Sequence, residues 1–200
     1  MKQRQKQHEL VKKIVLIGLF TALTTVFSLI KIPIMGVTVK IDLPVVVIGA
    51  AVLGPIAGAW LTVIPTIITF FLGEAALFMT YSPLGTILTL VLKGLLAGFF
   101  AGLIYKMFSK KHPIGAMTWA AVAAPVINSG VFMLGCYLFI WDELVALAAE
   151  KSVSIAVLLL GLVIINFILE LLICLIVCPA LLRVIRMATK KNNSGNSSKK

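Results

Sequence analysis

From residue 153 to residue 182 the chain carries a single charged side chain, Glu170, in an otherwise almost unbroken apolar run. Roughly 20 apolar residues suffice for a helix to cross the hydrocarbon core of a bilayer. The whole chain shares this character. It has 200 residues, 60% of them hydrophobic and 12% charged, with a mean hydropathy of +1.10. Soluble domains run at roughly 45–50% apolar and about 25% charged. An ordinary soluble domain, a disordered chain and a secreted disulfide scaffold are therefore excluded. A polytopic helical membrane protein remains.

The net charge of +11 would suggest nucleic acid in a soluble protein. Here the basic residues cluster beside apolar runs. Lys2, Arg4, Lys6, Lys12 and Lys13 precede the first run, and Lys106, Lys110 and Lys111 fall between two later ones. Arg183, Arg186, Lys190, Lys191, Lys199 and Lys200 follow the last. No base-reading groups accompany them, so positive-inside charge is the simpler reading.

Six apolar spans fit the chain: 14–30, 43–53, 57–72, 83–105, 115–140 and 153–182. The first is long for a signal peptide and lacks a cleavage site after it, so it reads as a retained helix. The second and third are short and divided by Gly54-Pro55, so each is a tilted or incomplete crossing. The expectation is an all-α, six-transmembrane-helix bundle with both termini cytoplasmic. Residues 1–13 form a basic cytoplasmic N-terminus, 14–187 the membrane domain, and 188–200 a basic, disordered cytoplasmic tail. Loops 31–42, 73–82 and 141–152 then lie outside, where Lys31, Lys40 and Lys151 face Asp42, Glu74, Asp142, Glu143 and Glu150.

Polar residues inside the spans stand out, because an intramembrane charge costs several kcal/mol unless it faces protein or water. Lys93, Asn128, Asn166 and Glu170 all fall at middle depths, and Asn166 and Glu170 share a helix face at i,i+4. They either line a binding site for a small polar or anionic molecule, or hold the bundle together. In the second case Lys93 pairs with Glu170 and the asparagines bridge helices. Asp42, Glu74 and Tyr81 add candidates from the outer loops. Phe78 and Tyr81 are either interfacial packing or part of a lid, and Trp141 is an interfacial anchor. Small residues at four-residue spacing mark close helix packing: Gly18 and Ala22 in the first span, Gly94, Gly98 and Gly102 in the fourth.

Catalysis has few candidates. Both histidines, His8 and His112, sit beside basic clusters, and neither a P-loop nor a paired-aspartate magnesium motif occurs. Cys136, Cys174 and Cys178 read as apolar packing rather than metal ligands. No cofactor or metal is implied.

Several stretches resemble the substrate-binding S components of energy-coupling factor (ECF) vitamin transporters. They are Gly18 and Ala22 after a basic N-terminus; Val39-Lys40-Ile41-Asp42-Leu43-Pro44 leading to Leu53-Gly54-Pro55-Ile56-Ala57-Gly58; Ser82-Pro83-Leu84-Gly85; Lys93-Gly94-Leu95-Leu96-Ala97-Gly98; and Ala124-Pro125-Val126-Ile127-Asn128-Ser129-Gly130. The resemblance spans about residues 10–187. It implies a six-helix bundle in a bacterial plasma membrane that binds a vitamin near its outer face under the first loop and the loop before the fourth helix. It also implies a transmembrane coupling subunit and two cytoplasmic ATPases as partners, with Gly18 and Ala22 at the coupling contact. Lys93 suits an anionic ligand such as pantothenate; Asn128 and Asp42 suit hydroxyl or ring N–H groups, as in riboflavin. The alternatives are a stand-alone transporter using Lys93, Glu170 or Asp42 as an ion- or proton-coupled gate, and a purely structural membrane subunit.

Overall fold

The computed structural model describes residues 2–34, 37–73 and 75–197. The chain is helical throughout except for one short hairpin. Helix α1 (Lys2–Leu29) leads into β1 (Lys31–Ile34) and β2 (Val37–Lys40), paired antiparallel with Lys31 opposite Lys40. The chain is all-helical, as expected, with this short hairpin in the 31–42 loop. In sequence Val37 and Val39 alternate with Thr38 and Lys40, a pattern suited to a two-stranded ribbon.

Helix α2 (Asp42–Leu53) sits at the centre of the bundle. It packs against α1, α3, α6, α7 and α10, and Val46, Val47, Ile48 and Ala50 are buried. Its length of about 18 Å is well short of a bilayer core. It ends where Gly54 takes a positive φ of 98°, a conformation glycine adopts without steric cost. Pro55 then opens α3 at a position where a missing N–H is harmless. α3 (Pro55–Leu61) and α4 (Val63–Phe71) meet at Thr62. Pro65 lacks the N–H that would reach the Leu61 carbonyl, and the helix breaks in that turn.

Short α5 (Ala76–Tyr81) lies in the segment between α4 and α6 that reads as a loop in the sequence. α6 (Pro83–Phe108) and α7 (Pro113–Phe139) form the most extensive helix pair. α8 (Trp141–Glu150) lies in the segment 141–152 that reads as a loop in the sequence, with Leu144 and Ala148 buried. α9 (Ile155–Leu159), whose N-terminus is capped by the Ser154 hydroxyl accepting from Val157 N, runs into a π-helical turn at Leu160–Ile164. α10 (Ile165–Ser197) completes the chain and enters the segment 188–200 that reads as a disordered tail.

Among the described residues, four helical stretches are long and apolar enough to cross a membrane: Lys6–Leu29, Pro83–Phe108, Pro113–Phe139 and Ile165–Val184. Asp42–Leu53 and Pro55–Phe71 are shorter apolar stretches. The chain is a multi-pass membrane protein. Large apolar side chains such as Ile56, Phe71 and Leu84 remain at least 80% exposed on its flanks, as lipid-facing residues do.

The interior packs by smallness. Ala101, Ala120, Ala121, Ala124, Cys174 and Cys178 meet Leu43, Val47, Ile48 and Met117 in one buried cluster. α3 touches α6 backbone to backbone, and a Cβ on either Gly58 or Gly98 would overlap the other's carbonyl oxygen. Close approach of this kind replaces the hydrophobic drive that lipid removes. A second cluster of Cys136, Ile140 and Leu144, with Phe78, Tyr81 and Phe132 packed on it, fills the end of the bundle that holds α5 and α8.

Candidate functional site

Between these two clusters lies a cavity of about 260 Å³. Its walls come from elements far apart in sequence. Asp42, Leu43 and Val46 come from the first turns of α2. Thr62, Pro65, Thr66 and Thr69 come from the α3–α4 break and α4, and Phe78 from α5. Leu90, Lys93 and Gly94 line it from α6, Asn128, Ser129 and Phe132 from α7, and Asn166 and Glu170 from α10.

Each polar group is delivered by a local peculiarity of its element. Pro125 interrupts the ladder of α7 one turn before Asn128 and Ser129. The π-turn widens the helix just before Asn166, as such insertions often do beside functional sites. Lys93 stands ten residues into α6, about 15 Å along its axis.

Glu170 is buried and is the hub of the polar wall. Its Oε1 accepts from Asn166 Nδ2 at 3.0 Å and its Oε2 from Asn128 Nδ2 at 3.2 Å. The second bond ties α7 to α10. The charges of Lys93 and Asp42 both act on this carboxylate, Lys93 attracting it and Asp42 repelling it. The Lys93 ammonium also lies 4.9 Å from the centroid of the Phe132 ring, a cation–π arrangement. Phe132 in turn meets Phe78 edge to face at 5.4 Å, so a side chain of α5 closes one side of the chamber against this stack.

Asn166 Oδ1 is buried and has no hydrogen-bond partner among the described residues. Such an orphaned acceptor costs about 1–3 kcal/mol unless something donates to it. On α4, the Thr62 and Thr66 hydroxyls donate to the carbonyls of Ala59 and Thr62. Their protons are spent on the helix, and their oxygens remain as acceptors.

The structure thus brings Asp42, Lys93, Asn128, Asn166 and Glu170 to one chamber. Tyr81 packs on the Cys136 cluster instead. Glu74 lies outside the described residues. Gly18 and Ala22 lie on an exposed face of α1, far from any wall, with open space where a Gly18 Cβ would stand. Sequence reasoning passed over Thr62, Thr66, Thr69, Ser129 and Phe132. The three threonines repeat at i, i+4 and i+7, and that spacing was the available signal.

The arrangement offers acceptors, one ammonium and an aromatic wall inside a largely apolar shell, the make-up of a small-molecule site. Neither the curated proteins nor the solved structures include a match to the chain. A family model described as "ECF transporter, substrate-specific component" matches residues 12–182.

Proposed function

Because the chain belongs to the substrate-specific components of ECF transporters, we propose that its chamber is the place where it captures a small nutrient of the vitamin class. The observation that carries this reading is the convergence of Asp42, Lys93, Asn128, Asn166 and Glu170, from four separate helices, on one cavity with a buried unpartnered acceptor. A ligand N–H or O–H would give that acceptor the donor it lacks among the described residues. Riboflavin and pantothenate are the favoured ligand classes. Ring N–H and hydroxyl groups suit the asparagines and Asp42, and a carboxylate suits Lys93.

In this reading the two short apolar stretches complete a bundle of six membrane segments, with 14–187 as the membrane domain. Residues 1–13 and the basic tail 188–200 face the cytoplasm of a bacterial cell, since most of the basic residues lie at that side. The hairpin and α5 cover the outer mouth. The chain is a binding subunit and not an enzyme. A membrane coupling subunit and two ATPases supply the energy, and Gly18 and Ala22 meet the coupling subunit through the open face of α1. The alternative is a stand-alone ion- or proton-coupled transporter using the same charges as a gate.

Thermal unfolding of the purified protein against a vitamin panel tests the reading. A ligand at 100 times its Kd stabilises by about 2.7 kcal/mol. Ion-driven uptake in proteoliposomes that hold this chain alone would favour the alternative.

A further inference from the structure

The chemistry of the chamber narrows the ligand further, on the premise that the chamber is the binding site. Both Glu170 carboxyl oxygens accept hydrogen bonds, so each amide facing them turns its NH2 edge toward the side chain. Asn166 and Asn128 both do so, to Oε1 and Oε2. Each carbonyl oxygen then points away from Glu170. For Asn166 that oxygen is the buried, unpartnered acceptor. One carboxylate therefore sets the polarity of two amides. With both amide NH2 edges engaged by Glu170, an anion entering the chamber would meet the acceptor edges of the asparagines.

We infer that Glu170 is a positioning residue that holds the Asn128 and Asn166 carbonyl oxygens toward the substrate, so that the chamber selects a neutral or cationic molecule presenting N–H or O–H donors over its anionic counterpart. The Lys93 ammonium, held over the Phe132 ring, completes the set by donating to a carbonyl or hydroxyl of the same ligand.

The test uses the full-length protein in detergent and three matched pairs that differ by an anionic group. They are panthenol and pantothenate, nicotinamide and nicotinate, and riboflavin and its 5′-phosphate. The expected result is binding of the neutral member of at least one pair, about tenfold or more tighter than its anionic partner, the scale of one hydrogen-bonding mismatch. Glu170→Gln keeps the shape and turns one asparagine amide around. It should shift that neutral-to-anion preference about tenfold toward the anion, a readout that a merely structural glutamate would not move.

Thr66→Phe, which fills the chamber from the α4 wall, should abolish binding while the protein still melts cooperatively. Tighter binding of an anionic member, lost in Thr66→Phe, overturns the inference and leaves the site intact. Binding unaffected by Thr66→Phe overturns the site itself. No binding by any neutral member overturns the ligand class. The clamp is also read without ligand, by hydrogen exchange of 15N-labelled asparagine side chains. Slow exchange of two side-chain amides in the parent protein, lost in Glu170→Leu, is expected; uniformly fast exchange in the parent overturns the clamp.

Discussion

Asn166 and Glu170 stand one helical turn apart on α10, joined by a 3.0 Å hydrogen bond from the Asn166 amide to the Glu170 carboxylate. The geometry spends the donor edge of Asn166 inside the protein and leaves its acceptor edge buried without a partner among the described residues.

Asn166→Leu removes both edges. The Glu170 Oε1 loses its donor while the buried orphan disappears, so the change in stability is small, within about 1 kcal/mol either way. Ligand affinity falls about tenfold or more. Calorimetric unfolding and ligand titration on the same preparation separate the two effects. Equal affinity in the two proteins would place Asn166 outside the contact set.

Lys93→Met keeps the reach of the side chain and deletes its charge. The acids lose their cation and Phe132 loses a cation–π partner that is worth about 0.5–2 kcal/mol. The expected outcome is a lower Tm, by roughly 2–4 °C for each kcal/mol lost in a chain of this size. An unchanged Tm would show that Lys93 faces water rather than the carboxylates.

Gly98→Val places a branched side chain where the Gly58 carbonyl stands. Neither backbone can yield without parting α3 from α6, and overpacking of this kind costs about 1–3 kcal/mol. The α3–α4 wall carries Thr62 and Thr66, so affinity should fall with stability. Thermal unfolding and ligand titration check both. The combined variant Gly58→Val with Gly98→Val should be no better, because both clashes are with backbone.

Gly18→Leu combined with Ala22→Leu alters two exposed positions of α1, with open space where a Gly18 side chain would stand. Tm and ligand affinity should stay within error of the parent. Copurification with the coupling subunit and ATP-driven uptake should be lost. Retained copurification would move the coupling contact elsewhere.

The polar half of the candidate site was legible because charge and carboxamide are rare inside apolar runs. Lys93, Asn128, Asn166 and Glu170 are conspicuous for that reason alone. Thr62, Thr66 and Thr69 were not, since threonine satisfies itself on its own helix and is common there. Phe132 was hidden for the opposite reason: an aromatic residue in an apolar run looks like any other lipid-facing or packed side chain. Tyr81 drew notice for its hydroxyl, yet its ring serves the Cys136 cluster. The hairpin and the helices α5 and α8 fall in segments too short for helical periodicity to register, and they read as loops.

By itself the sequence determined the solvent of the protein, the position of the long membrane helices and the few residues that had to be explained. Those follow from local free energies, the transfer of apolar runs into lipid and the cost of a charge there. Only the tertiary structure decided that Asn128 and Asn166 share one carboxylate, that Lys93 rests on Phe132, and that α4 contributes a wall. These are contacts between helices whose rotation is set by packing, by Pro125, by the break at Thr62 and by the π-turn before Asn166. No local pattern encodes the angle at which one helix meets another, and the site exists only at those angles.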